Sequence, residues 1–158
     1  MKFGKSLYLS LAAFILIIDR ITKLAALQWC AQSAYVVSSY LSFDVVFNRG
    51  ISWGMLHSAS NSMFIFVSLV QVAITALLCW SLYILIKNSF YNYVRGSAII
   101  GLICIIAGSL SNLIDRAVYG GVIDFILLSY NNYSWPVFNV ADAAIVCGVG
   151  ILIFFDEK

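Results

Sequence analysis

Charge is what this chain has least of. Asp, Glu, Lys and Arg make up 10% of its 158 residues, against 63% apolar. A soluble domain of that length needs more charge to cover its surface, so the surplus apolar surface has to meet lipid. The charges that exist nearly balance, at a net +2. No basic stripe or nucleic-acid motif is present, which sets nucleic acid aside as a partner. Cysteine is sparse too. Cys30, Cys79, Cys104 and Cys147 form no CxxC pair, and three of them lie inside apolar runs. That spacing speaks against a metal site or a disulfide framework and for small apolar packing residues. There is no internal repeat of a helix pair and no low-complexity tract, and residues 1–158 read as one integral membrane domain.

What is present in quantity is long apolar sequence. A spanning helix needs about 20 mostly apolar residues. Residues 63–86 and 97–114 carry no charge at all. A run from Leu7 meets Asp19 and Arg20, and residues 137–155 contain Asp142. The expectation is an all-α membrane protein with four transmembrane helices. Lys2 and Lys5 ahead of an apolar stretch resemble a signal peptide. No small-x-small cleavage site follows, and bulky Trp29 precedes Cys30, so the segment is expected to remain as helix one. Basic residues mark the cytoplasmic side. Lys2, Lys5, Lys87, Arg95 and Lys158 would share it, with both termini cytoplasmic and residues 30–61 and 115–136 outside.

The first outward loop is rich in Val, Tyr, Phe and Ser between residues 35 and 47, a composition that favours strands. Asn48-Arg49-Gly50 then reads as a turn. A small extracytoplasmic β element is expected here, between helices one and two. In the second outward loop Gly120-Gly121 and Asn131-Asn132 are turn signals. Pro136 suits the first turn of helix four, which would put Asp142 one to two turns inside it.

Ionisable groups at membrane depth are costly and usually functional. Asp19 has Arg20 beside it and Lys23 at i+4, and Asp115 has Arg116 beside it. Both read first as structural ion pairs. Asp124 and Asp142 differ, because no Lys or Arg lies within four residues of either. Apolar surroundings raise a carboxyl pKa, and a second carboxylate raises one of the two further. Such a pair shares a proton, as an aspartic protease requires: one acid takes a proton from water and the other donates to the scissile carbonyl. Helix capping or a distant arginine would explain the same acids without chemistry. Asp44 also lacks a close base but falls in the expected strands. Asn112, Asp115 and Arg116 share a helix face by spacing, as do Asn139 and Asp142. Buried amides need partners, which a convergent polar cluster supplies; ordinary interhelical hydrogen bonding would supply them too.

These segments together resemble the lipoprotein signal peptidase (signal peptidase II) family over nearly the whole chain. Asp19-Arg20-Ile21-Thr22-Lys23 is similar to its Asp-x-x-x-Lys stretch, and Phe47-Asn48-Arg49-Gly50 to its Phe-Asn-x-Gly turn. Asn112-Leu113-Ile114-Asp115-Arg116 resembles its Asn-x-x-Asp-Arg motif. Val122-Ile123-Asp124-Phe125 and Phe138-Asn139-Val140-Ala141-Asp142 resemble the segments that hold its aspartates. The resemblance implies a bacterial inner-membrane aspartic endopeptidase working without metal or cofactor. It would cut prolipoproteins just before a diacylglyceryl-modified cysteine, and globomycin-type peptides would inhibit it. The implied dyad is Asp124 and Asp142. Substrate-binding or supporting roles are implied for Asn48, Asn112, Asp115, Arg116 and Asn139, and a structural role for Asp19 and Lys23. Two positions depart from the family pattern: Ala107 and Ser111 stand where glycines are usual, with Gly108 kept.

On composition alone, a small proton-coupled carrier and a non-catalytic accessory subunit also fit. A carrier would need a polar path through both leaflets, and residues 63–86 offer only Ser68, Gln71, Thr75 and Ser81.

Overall fold

The computed structural model describes residues 5–50, 60–88, 96–131 and 133–154. Its elements are α1 (Lys5–Cys30), β1 (Tyr35–Val36), β2 (Leu41–Asn48), α2 (Asn61–Asn88), α3 (Gly96–Tyr119), β3 (Val122–Tyr130), β4 (Tyr133–Ser134) and α4 (Val140–Phe154). Lys2, Arg95, Asn132 and Lys158, on which parts of the topology and turn expectations rest, lie outside the described residues.

The helices follow from composition and from their caps. α2 is an unbroken apolar run with Ser60, a good N-cap type, just ahead of it; the Ser60 carbonyl accepts from Phe64 N–H at 3.2 Å. α3 ends at Tyr119, and Gly120 follows at φ 70°. That left-handed residue is a helix stop which only glycine adopts freely. Residues 61–87 and 96–119 are long and apolar enough to cross a membrane. α1 runs 26 residues but carries Asp19, Arg20 and Lys23, and α4 is described over 15 residues.

α3 is the central helix. It packs on α4, α1 and α2, and α1 also meets α4; the core holds Ile15, Cys104 and Ala107. Close approach of α3 and α4 depends on glycine. A Cβ at Gly108 would lie 2.5 Å from the Ala141 carbonyl oxygen, and one at Gly148 2.6 Å from that of Gly101. The glycine retained from the family pattern is thus the one at the tight contact. Ala107 turns toward Ile15 of α1, where a methyl group fits.

Four helices and a small antiparallel sheet are present, as expected, but the placing of the sheet needs correction. The β element is not confined to the segment between the first two helices. One antiparallel sheet runs β1-β2-β3-β4, and half of it comes from the segment between α3 and α4. β2 pairs with β3 in the register Phe47↔Ile123 and Asn48↔Val122, with a bulge between Phe43 and Val46 that takes in Asp44. The turn signals flank β3: Gly120 and Gly121 precede it, and Asn131 follows at φ 52°. Pro136 is also displaced from its expected place, lying ahead of α4 in non-helical chain. α4 starts at Val140, so Asp142 sits in its first turn.

Candidate active site

The site is built on a buried ion cluster. Lys23, fully excluded from solvent, donates to Asp19 Oδ2 and Asp115 Oδ2 at 2.7 Å each and to Asn112 Oδ1 at 2.9 Å. An ammonium has three protons, and each has one acceptor here. Arg20 reaches Asp115 Oδ1 at 2.8 Å, so two cations offset two carboxylates. The i,i+4 pairing of Asp19 with Lys23 is as the spacing implied. Asp115 does not pair with its neighbour Arg116. Adjacent helical residues point about 100° apart, which sends Asp115 toward α1 and Arg116 toward α2.

This cluster sets the start of α4. Asp19 Oδ1 accepts from Ala141 N–H at 2.8 Å, and Ser111 Oγ donates to Asp19 Oδ2 at 2.6 Å. Ser111, one of the two departures from the family's glycines, therefore adds a donor to a buried carboxylate rather than mere bulk. Asn139 is the N-cap: its Oδ1 accepts from Asp142 N–H at 2.9 Å and its carbonyl from Ala143 N–H at 3.2 Å. With two amide protons of α4's first turn taken up by Asp19 and Asn139, Asp142 is held at a fixed place on it.

Asp124 arrives on β3 rather than on a loop. Asp115 Oδ2 accepts from Ile123 N–H at 3.2 Å, tying the strand to the end of α3. Asn48 lies opposite Val122, so period-two alternation puts Asn48, Val122 and Asp124 on one sheet face. The diagonal pair meets, Asn48 Nδ2 donating to Asp124 Oδ2 at 3.0 Å. Asn139 Nδ2 donates to Asp124 Oδ1 at 2.6 Å, and Asn112 Nδ2 to Asp142 Oδ1 at 2.9 Å. Asp124 and Asp142 both line a cavity of about 290 Å³, with Asn48, Asn112 and Arg116 on its wall. Neither acid has a salt bridge among the described residues. Burial, and then the charge of Asp142, push the Asp124 carboxyl up to about 7; hydrogen bonds from Asn48 and Asn139 and the charge of Lys23 oppose this.

Arg116 closes the cavity's other side. Its Nε donates to Gln71 Oε1 at 2.8 Å, one terminal nitrogen to the Arg49 carbonyl at 3.3 Å and the other to the Gly50 carbonyl. Gly50 N–H in turn donates to Asn48 Oδ1 at 2.9 Å, which makes the turn read from Asn48-Arg49-Gly50. Every site residue expected from sequence thus falls in one connected network. Arg20, Ser111 and Gln71 join it without having been singled out for it. The signal for Gln71 was a lone amide inside an otherwise apolar membrane-length run; nothing in the spacing reveals that Arg20 answers Asp115.

The family model for signal peptidase (SPase) II matches residues 11–156. The lipoprotein signal peptidase of Thermodesulfovibrio yellowstonii is 38% identical over 145 residues, covering 91% of this chain and 90% of that one. That of Rickettsia akari is 34% identical over 161 residues, covering 94% and 76%. A solved structure described as a bacterial membrane enzyme superposes with a TM-score of 0.74 at 26% identity, over 99% of this chain and 96% of its own. With the matched family model spanning nearly its whole length, this chain belongs to the signal peptidase II family.

Proposed function

We propose that the protein is an intramembrane aspartic endopeptidase, cutting the signal peptide of diacylglyceryl-modified prolipoproteins just before the lipidated cysteine. The observation that carries this reading is the sorting of the buried acids. Asp19 and Asp115 are neutralised by Lys23 and Arg20, whereas Asp124 and Asp142 share a cavity and, among the described residues, hydrogen-bond only to amides and backbone. In the reaction, the ionised acid takes a proton from a water molecule as its oxygen attacks the scissile carbonyl. The neutral acid gives its proton to the carbonyl oxygen. Collapse of the tetrahedral species breaks the C–N bond: the acid that took the water's proton gives it to the leaving amine, and a hydroxyl of the tetrahedral species returns a proton to the other acid as the new carboxyl forms. The asparagines hold the two carboxyls in place by hydrogen bonds. The apolar cavity wall, with Val67, Val70, Ile74 and Ile145, suits a signal peptide or acyl chain. The deciding experiment is cleavage of a diacylglyceryl-modified peptide by the purified protein in detergent, with the unlipidated peptide as control. Cleavage of both alike, or of neither, sinks the reading.

The same reading makes all four helices membrane spans of a bacterial inner membrane, with the sheet on the outer face and both termini inside. Reporter fusions at residues 40 and 128 are expected to report the outside, and one at residue 91 the inside. An outside signal at residue 91 would reverse the assignment.

Arg116 is proposed to orient the exit of β2 beside the dyad. Arg116→Lys keeps the charge but loses the planar fork that reaches Gln71, Arg49 and Gly50 together. Reduced cleavage is expected from a variant that still melts cooperatively. Undiminished cleavage would remove the role.

A further inference from the structure

α2 is held differently from the other helices. It packs on α3, with no comparable contact to α1 or α4 among the described residues. Two apolar surfaces gain little from meeting each other in lipid, so polar contacts set the register of such a helix. Ser68 and Ser81 spend their hydroxyls on carbonyls of their own helix, at 2.7 and 2.9 Å. Only Gln71 and Thr75 reach α3 by hydrogen bond among the described residues. Thr75 Oγ1 meets Ser109 Oγ at 2.6 Å, and Gln71 Nε2 donates to the Ser109 carbonyl at 3.2 Å.

The other end of the Gln71 amide accepts from Arg116 Nε at 2.8 Å. The orientation of that amide is fixed by its partners. A carbonyl can only accept and a guanidinium can only donate, so a flipped amide would lose both bonds. Phe64, two turns earlier on the same face, lies under the Arg116 guanidinium at 5.7 Å. Gln71 and Arg116 both line the cavity that holds Asp124 and Asp142.

We propose that Gln71 is a positioning residue for Arg116, setting substrate affinity rather than the proton chemistry. The proposal rests on the endopeptidase reading given above. Gln71 Oε1 fixes the rotation of the guanidinium about its long axis. That rotation decides whether the two terminal nitrogens face the carbonyls of Arg49 and Gly50. A loosened Arg116 frees the exit of β2 and narrows the space for the peptide. Gln71 touches neither carboxyl, so the dyad keeps its proton.

The test compares Gln71→Met and Gln71→Glu in the purified full chain. Methionine keeps length and apolar bulk but neither bonds Nε nor donates to Ser109. Glutamate keeps an acceptor for Nε and loses the donation to the Ser109 carbonyl. Gln71→Met is expected to raise KM for the diacylglyceryl-modified peptide about tenfold, a size typical of a hydrogen bond to a charged group. Its kcat and pH profile should be unchanged. Gln71→Glu is expected to return KM to near the original value. If Gln71 served only to dock α2 on α3, both variants would be impaired alike, and that result overturns the proposal. So does an unchanged KM in Gln71→Met, or a loss confined to kcat. A second readout needs no turnover: the Arg116 Nε–H resonance in 15N-labelled protein should exchange slowly in the original and in Gln71→Glu, and fast in Gln71→Met. Slow exchange in Gln71→Met also overturns it. Failure of the original protein to cleave would sink the endopeptidase reading, while the exchange data would still judge Gln71.

Discussion

Asp124→Asn and Asp142→Asn are each expected to abolish cleavage of a diacylglyceryl-modified peptide while the helices stay folded. Asparagine nearly matches aspartate in shape but can neither take nor give the proton. Loss of one general acid or base costs about 10²–10⁴-fold. Because the two acids act as one unit, the double variant should be no worse than either single one. Asp44→Asn is the control: Asp44 sits in the β2 bulge and is not among the residues lining the cavity. The pH profile gives an independent check. With the Asp124 carboxyl raised to about 7, the pair keeps a proton below that pH and loses it above. The neutral acid that polarises the carbonyl then disappears, so kcat/KM should fall as pH rises through about 7. A near-original rate in either asparagine variant would refute the dyad, and a dead Asp44→Asn would point to the wrong acid having been chosen.

The largest effect on stability is expected at Lys23. Lys23→Met fills much of the same space but removes the cation that Asp19, Asp115 and Asn112 share. Asp115 then keeps Arg20, while Asp19 keeps only hydrogen bonds from Ser111 and the Ala141 amide among the described residues. Removing one partner of a buried ion pair costs about 3–5 kcal/mol, because the remaining charge is stranded. Lys23→Arg should rescue poorly, since a flat fork cannot point three donors at acceptors converging on one atom. Equilibrium unfolding in mixed micelles measures this. A loss below about 1 kcal/mol, the range of an exposed pair, would mean the cluster is not sealed from water.

What the sequence disclosed depended on whether the partners were local. Asp19 and Lys23 lie one helical turn apart, so their pairing was legible from spacing. Asp124 and Asp142 stood out by the opposite sign, the lack of any nearby cation. Asp115 misled, because Arg116 is adjacent in sequence yet points elsewhere, and its partners Lys23 and Arg20 come from α1. β3 was hidden for a different reason. Val-Ile-Asp-Phe-Ile-Leu-Leu-Ser-Tyr does not alternate, since its first four residues are buried whichever way they point. A short apolar run of that kind has no period to reveal it. The start of α4 was misplaced because Pro136 is a common first helical residue. The cap that counts, Asn139, shows itself only through its bond to the amide of Asp142.

The pairing of β2 with β3 also orders events in time. Asn48 reaches Asp124 across 76 residues of chain, and Asn112 reaches Asp142 across 30. Contacts that close long loops form late, after local helices. During synthesis, α2 and α3 must both be threaded before β3 can find β2. Asp142 emerges later still, with the cap that orients it. A nascent chain halted anywhere before α4 therefore holds at most one acid of the proposed pair, Asp124, without the neighbour that tunes it. If Asp124 and Asp142 are the dyad proposed above, such a chain is expected to cleave nothing. On that reading activity begins only once α4 is in place, a safeguard comparable to the one other proteases obtain from a removable pro-segment.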